Sequence, residues 1–541
     1  MLTAAFFSVA VVLTSLAWWA LKNLVLKSPL DNIAGPPVPS LLSGDPHLST
    51  PSVLAFTSNL GHFGQLFHRH NGWKLQANLC NNYPRVAKIS GILGKRVLYV
   101  SDPESLHSII LRDQLYYEEA SFILETSTSQ TTEDAKPSFL GSPSTPNDTD
   151  LLPCRSTGSV APDIDVLNWA GRVALELIGQ AGLGYSFDPL VEESKDSFEE
   201  AIKAIVPSMW ALGGFGQLTP FIKKLGSPPF RRWVLDNLLP IAKIQRLKVL
   251  SDTIKARAKE VIAQKRLALQ SGEEAVLQQI GEGKDVISIL LRANMKASES
   301  ERLDEDELAA QTTTLIFAAT ETTSGALAQV LQLLAQHADV QEKLRAEILH
   351  VGGDQDIPYD ELMSLPYLDA ICRETLRLYP PVSHIYRDCK RDMVLPLSEP
   401  IQGVDGTWMK QIPIPEGTRI IISVRGCNRN RAMWGEDVDE WKPERWLSHL
   451  PNTITSARIP GVYSNLMSFG GGSRSCIGFK FSELEIKVVL CVLLRSFRFS
   501  PSAKEVVWNY AATKFPTIGK GSDTPSLPMK VVPLKEKTTF V

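Results

Sequence analysis

The sequence predicts a mainly α protein with a small β portion, and three observations carry that prediction. From Glu192 to about Leu349 the chain is helix-rich, with few strand signals. Strand-like runs are confined to Arg85–Val100 and to Ile412–Ile422. Near the C-terminus one cysteine, Cys476, lies in the run Phe469-Gly470-Gly471-Gly472-Ser473-Arg474-Ser475-Cys476-Ile477-Gly478, just ahead of a further helix.

The elements follow in chain order. Leu2–Leu21 is uncharged, and at about 1.5 Å per residue it is long enough to cross bilayer hydrocarbon. Trp18 and Trp19 near its end suit the interface, and Lys22 and Lys27 come after the apolar run. A cleaved signal would carry its charges first, so residues 1–26 read as a single-pass transmembrane anchor with the rest of the chain cytosolic. Residues 27–52 form a proline-rich hinge around Gly35-Pro36-Pro37-Val38-Pro39-Ser40, where fixed φ angles and missing amide donors favour an extended chain. The main body is 53–541.

Within the body, Arg85–Ser90 and Arg96–Val100 flank Gly91 and Gly94 and predict a hairpin. Asp102-Pro103-Glu104 opens a helix with proline in its first turn. Residues 127–162 are a low-complexity segment rich in Ser, Thr, Pro, Gly and Asp, with Lys136 and Arg155 its only basic residues. Helical spacing resumes over Val166–Gly179. The strand-and-turn pieces at Ile412–Thr418 and Ile420–Ile422 complete the β portion.

Composition narrows the function. With 541 residues, 44% of them hydrophobic, the chain can bury a large core. A net charge of −3 argues against a nucleic-acid binder. Seven cysteines, odd in number and without a CxxC pair, exclude a disulfide framework and disfavour structural zinc, which points to a reducing compartment.

Three constellations carry chemistry. In the cysteine loop, glycines permit positive φ and close approach to a flat ligand, and a lone thiolate there can bind haem iron. Arg474 is placed to pair with a carboxylate of that ligand, Phe469 to pack on the sulfur side, and Gly478 to let the next helix start near the iron. Loop amides and the helix's positive end are expected to lower the thiol pKa. Second, Glu374 and Arg377 are three apart on one helix face that Tyr379-Pro380-Pro381 ends sharply, and Arg445 of Trp441–Trp446 can join them. Third, Phe317–Ser324 mixes threonines with apolar residues. Its hydroxyls are expected to bond back to carbonyls and distort the helix, with Glu321 and Thr322 as a proton-relay pair.

Together these motifs resemble the cytochrome P450 family of haem-thiolate monooxygenases, most closely a microsomal, fungal-type member, over nearly the whole chain. The resemblance implies a P450 fold for 53–541, preceded by the N-terminal transmembrane helix, and haem b (iron protoporphyrin IX) as cofactor. Cys476 matches the axial ligand of the haem iron. Phe469, Gly472, Arg474 and Gly478 match the loop that binds it, and Arg387 matches a further propionate contact. Glu374, Arg377 and Arg445 match the structural ion network, and Glu321 and Thr322 the oxygen-activation helix. Ala319 stands where the family usually has glycine, and the segment 127–162 replaces the family's basic, propionate-binding helix.

The implied activity is insertion of one oxygen atom from O2 into an apolar small molecule, in secondary metabolism (a terpenoid or polyketide). Because no convincing nucleotide-binding glycine motif is present, electrons would come from NADPH through a separate NADPH-cytochrome P450 reductase. The implied address is the endoplasmic reticulum membrane. Trp210, Phe215 and Phe221 are candidates to line the substrate's access path, with a core or membrane-dipping role equally open. A rival reading, a haem-thiolate isomerase or dehydratase without a reductase, is opposed by the Glu321–Thr322 pair. Another, a non-catalytic relic, is motivated by the replaced basic helix.

Overall fold

The computed structural model describes residues 26–37, 61–119, 163–187, 197–211, 226–353, 355–463 and 465–534, together with residues 14, 190 and 222. The expected anchor (apart from residues 14 and 26), the hinge between 38 and 52, and the low-complexity segment 127–162 lie outside these residues. Among the described residues no helix is long and apolar enough to cross a membrane.

Residues 28–34 are tied to the body rather than free. Ser28 caps a short 3-10 turn, Pro29–Asn32, whose Leu30 is buried in the main core with the following Ile33. Asp31 accepts from Arg96 at 2.6 Å, and the Lys88 amide donates to the Ala34 carbonyl at 3.0 Å.

The expected hairpin forms as strands β1 (Val86–Ser90) and β2 (Arg96–Val100), paired antiparallel. They belong to a five-stranded sheet in the order β1-β2-β8-β5-β3, with β3 Tyr117–Glu119, β5 His384–Cys389 and β8 Arg419–Ser423. Only β2–β8 is parallel within it. Every residue of β8 is buried, as expected for an apolar Ile-Ile-Ile run covered on both faces.

Helices make up most of the remainder. Asp102 caps Pro103–His107, and Asp165 caps Val166–Leu177 through the Asn168 amide at 3.3 Å. The region expected to be helix-rich contains Ser197–Ala211, Pro228–Asn237, Ala242–Ser271, Val286–Lys296, Glu305–Gln336 and Ala338–Gly352. The longest, Glu305–Gln336, starts in a capping box: the Glu307 amide donates to Asp304 at 2.7 Å and the Asp304 amide to Glu307 at 3.1 Å. Its first half packs into a helical core with Phe198, Ile202, Ile254 and Ile262, while its second half joins the larger core beside the sheet. That position, crossing both cores, makes it the axis against which the site is built.

Candidate functional site

Strand β10 (Leu466–Gly471) delivers the chain into the cysteine loop, and the helix Phe479–Ser496 leaves it. The loop closes when the Cys476 amide donates to the Phe469 carbonyl at 2.9 Å and the Ser475 amide to Gly472 at 3.1 Å. Gly470 and Gly472 have φ of 66° and 65°, where a side chain would be strained. A Cβ on Gly472 would also collide with the Ile110 carbonyl, which belongs to a π-helical turn, Ser108–Arg112. Gln114 braces the same loop, its Oε1 accepting from the Ser473 amide at 3.3 Å and hydroxyl at 2.8 Å. Phe469 lies between Tyr463 and Phe479, with ring centroids 5.3 and 5.1 Å away.

Cys476 is exposed at the end of this loop. Its thiol corrects the expectation of a lowered pKa. Crowding by the surrounding chain pushes it up, and only the Gly478 backbone hydrogen bond opposes. A metal ion bound there would deprotonate it, since a coordinating thiol loses its proton outright.

Glu374 and Arg377, on the helix Pro366–Leu378, are fully buried and joined by two bonds of 2.8 Å. Glu374 also accepts from Trp446 Nε1 at 2.9 Å, the Lys442 amide at 3.1 Å and Arg445 Nε at 3.4 Å. Arg377 donates onward to the carbonyls of Val438, Asn428 and Glu440 at 2.8, 3.2 and 3.3 Å. Asn428 extends this network to β10, accepting from the Met467 amide at 2.8 Å and donating to Ser468 Oγ at 2.9 Å. The ion network thus sets the strand that carries the cysteine loop. Sequence reasoning found Glu374, Arg377 and Arg445 but missed Asn428, Ser468, Trp446 and Gln114, whose types carry no local signal.

Arg387 lies on β5, beside the loop: a Cβ on Gly470 would meet Ile385 at 3.7 Å. Arg387 is nearly buried and donates to its neighbour's carbonyl, Tyr386, at 2.9 Å. Burial pushes its guanidinium down from the ordinary arginine range, Glu119 opposes this, and Arg474 adds to it. Arg474 is exposed and has no hydrogen-bond or ion-pair partner among the described residues. Two cations near enough to repel, beside the glycine loop, suit a ligand bearing anionic groups. These residues fit haem: Cys476 to its iron, Arg387 and Arg474 to its propionates.

Glu321 and Thr322 sit in the helix Glu305–Gln336, which also packs on the helix Phe479–Ser496 that follows the cysteine loop. No hydrogen bond joins them to the cysteine loop among the described residues. Glu321 keeps some accessible area yet lies deep, and burial pushes its carboxyl up to about 8, with Lys203 pulling the other way. Thr322 Oγ1 donates to the Ala318 carbonyl at 2.7 Å, as Thr312 and Thr314 do to carbonyls four residues back. The helix is continuous through 317–324, and back-bonding there is limited to Thr322 and Ser324, whose hydroxyl donates to the Glu321 carbonyl at 3.4 Å, while the Thr320 and Thr323 hydroxyls are buried with no hydrogen-bond partner among the described residues. Ala318 is exposed on this turn. Trp210 falls in the helix Ser197–Ala211, whereas Phe215 and Phe221 lie outside the described residues.

Comparison with known proteins agrees with this geometry. The family described as Cytochrome P450 matches residues 154–522. Cytochrome P450 monooxygenase 91 of Postia placenta is 47% identical, over 95% of this chain and 96% of the relative. Cytochrome P450 monooxygenase 219 of the same organism is 45% identical, over 94% and 95%. Ganoderic acid synthetase of Ganoderma lucidum is 39% identical, over 95% and 96%.

Proposed function

Because this chain belongs to the cytochrome P450 family and is an oxidoreductase of the monooxygenase type, we propose that it is membrane-anchored and inserts one atom of O2 into an apolar small molecule. The observation that carries the chemistry is Cys476, held in a closed glycine loop near Arg387 and Arg474, two cations close enough to repel. Bound haem would supply the iron that activates dioxygen, with the thiolate donating electron density to it.

The chain's own residues supply orientation and protons. Arg387 and Arg474 fix the ligand's anionic edge by charge-assisted bonds. Glu321, neutral up to about pH 8, presents a carboxylic O–H as a general acid at neutral pH. Thr322 spends its proton on the Ala318 carbonyl, which leaves its oxygen lone pairs able to accept a hydrogen bond. That division suits Glu321 as donor and Thr322 as acceptor in proton delivery.

The finer reading places a single-pass anchor at 1–26 in the endoplasmic reticulum membrane, with the catalytic domain cytosolic and electrons arriving from NADPH through a separate reductase. Exposed Phe230, Trp233, Leu238 and Ile241 support contact with a lipid surface near the substrate's access path. The relative named ganoderic acid synthetase supports a role in secondary metabolite biosynthesis.

The test is the carbon monoxide difference spectrum of the reduced, full-length protein. A thiolate-haem band is expected, and Cys476→Ala abolishes it. A wild-type protein without that band ends the reading.

A further inference from the structure

Away from the cysteine loop, the helix Gly72–Asn82 and the chain around Arg425–Asp439 enclose a cavity of about 410 Å³. Its polar lining includes Cys80, Asn81, Arg425, Arg429, Arg431 and Asp439. Three guanidinium groups against one carboxylate leave this wall with a net charge of +2.

That carboxylate is already engaged. Asp439 lies 3.0 Å from Arg429 and 3.7 Å from Arg431. Arg429 also donates to the Leu378 carbonyl at 2.8 Å, and Arg431 is 3.6 Å from exposed Glu436. Arg425 is the exception. Its guanidinium lies over the Trp73 ring, 5.2 Å from the centroid, and has no hydrogen-bond or ion-pair partner among the described residues. The surroundings register this excess of charge. Burial, then Arg425, pushes Arg429 down from the ordinary arginine range. Burial, then Arg429 and Arg425, holds the Lys514 amine well below its usual value.

A half-buried guanidinium stacked on an aromatic ring keeps its donors directed and free, and guanidinium forks match the oxygens of a phosphate group. We infer that this cavity is a binding site for a phosphate monoester dianion, with Arg425 as its principal ligand and Arg429 and Arg431 completing the charge match. The volume lies in the range of small-ligand sites and holds a phosphate with a modest organic group. The same dianion could come from a soluble phosphate ester or from a lipid headgroup. The site is separate from the haem-binding loop and does not depend on the reaction proposed above.

The test uses full-length, haem-loaded protein. Inorganic phosphate is titrated by calorimetry at constant ionic strength against chloride. In parallel, binding is measured to phosphatidylcholine vesicles with and without phosphatidic acid. Wild type binds the phosphate group in at least one arm. Arg425→Gln weakens that binding at least about tenfold, the scale of lost charge-assisted hydrogen bonds, and Arg425→Lys weakens it less. An Arg425-dependent gain in the phosphate arm assigns a soluble ester; one confined to phosphatidic acid vesicles assigns the lipid. An unchanged thiolate-haem band in Arg425→Gln confirms that the variant folds. If neither arm shows phosphate-specific binding, or Arg425→Gln binds as wild type does, the inference is overturned.

Discussion

Two sets of charges frame the cysteine loop, and they are built on opposite rules. The Glu374–Arg377–Arg445 network is buried and closed: both Glu374 oxygens accept, and Arg377 donates to three backbone carbonyls besides its partner. The Arg387–Arg474 pair is open: burial, then Arg474, pushes the Arg387 guanidinium down with only Glu119 opposing, and Arg474 has no partner among the described residues. The closed set fixes backbone, and the open set is the one we propose takes an anion from outside the chain. Charge saturation, rather than burial alone, separates the structural residues from the binding residues.

The largest effect should come from breaking the closed set. Arg377→Ala takes away the two shortest bonds to the buried Glu374 carboxylate and leaves Arg445, at 3.4 Å, as its cation, and removing one partner of a buried pair costs about 3–5 kcal/mol. Urea unfolding should show that loss, together with loss of haem incorporation, because Asn428 and β10 are released. A loss below about 1 kcal/mol would mean that the network does not hold the loop.

Next is Glu321, which the fold buries without closing. The unfolded carboxyl ionises from about pH 4.5 whereas the folded one waits until about 8, so the unfolded state binds fewer protons between those values. Wild-type stability should therefore fall, relative to Glu321→Gln, as pH rises from about 4.5 to about 8. The difference should be on the order of a few kcal/mol above that window. Glu485, which burial also raises to about 8, is common to both proteins and cancels. Parallel pH–stability curves for the two proteins would remove the raised acid and, with it, the argument for Glu321 as donor.

Much of the closed set was legible in the sequence, because a Glu and an Arg three apart on a helix must meet. Arg445 was legible as a second arginine able to join them, and the family resemblance gave it the same place. The network's remaining partners were not, since Arg377 reaches Asn428 across 51 residues and Ser468 reaches the Leu376 carbonyl across 92. Serine and asparagine carry no mark of such a contact. The glycine loop shows the same division. Three glycines announce positive φ, but only the fold reveals that Gly472 lies against Ile110, and that Gln114 braces Ser473 from 359 residues away. The misread thiol has the same cause: the raised Cys476 depends on crowding by surroundings that local sequence does not encode.

A smaller effect tests the open set directly. Arg474→Ala removes one of two repelling cations, so the haem-free protein should unfold within about 0.5 kcal/mol of wild type. Haem affinity, measured by transfer to an apo-globin acceptor, should fall about tenfold for one lost charge-assisted contact. Destabilisation of the haem-free protein instead would place Arg474 with the closed set.

The smallest structural effect belongs to Thr322. Its hydroxyl adds a second bond to a carbonyl that the helix already uses, and alanine has the higher helix propensity. Thr322→Ala should therefore change stability by no more than about 1 kcal/mol, in either direction. Its functional effect should be large by contrast: without a hydroxyl to accept and pass the proton, oxygen and NADPH are consumed with less product formed. Measuring product per NADPH in the reconstituted system separates the two roles, because a merely structural threonine would lose both together. Unchanged coupling would leave Glu321 as the only member of the pair with a part in proton delivery, and would place Thr322 with the other back-bonded threonines, Thr312 and Thr314, that only line the helix.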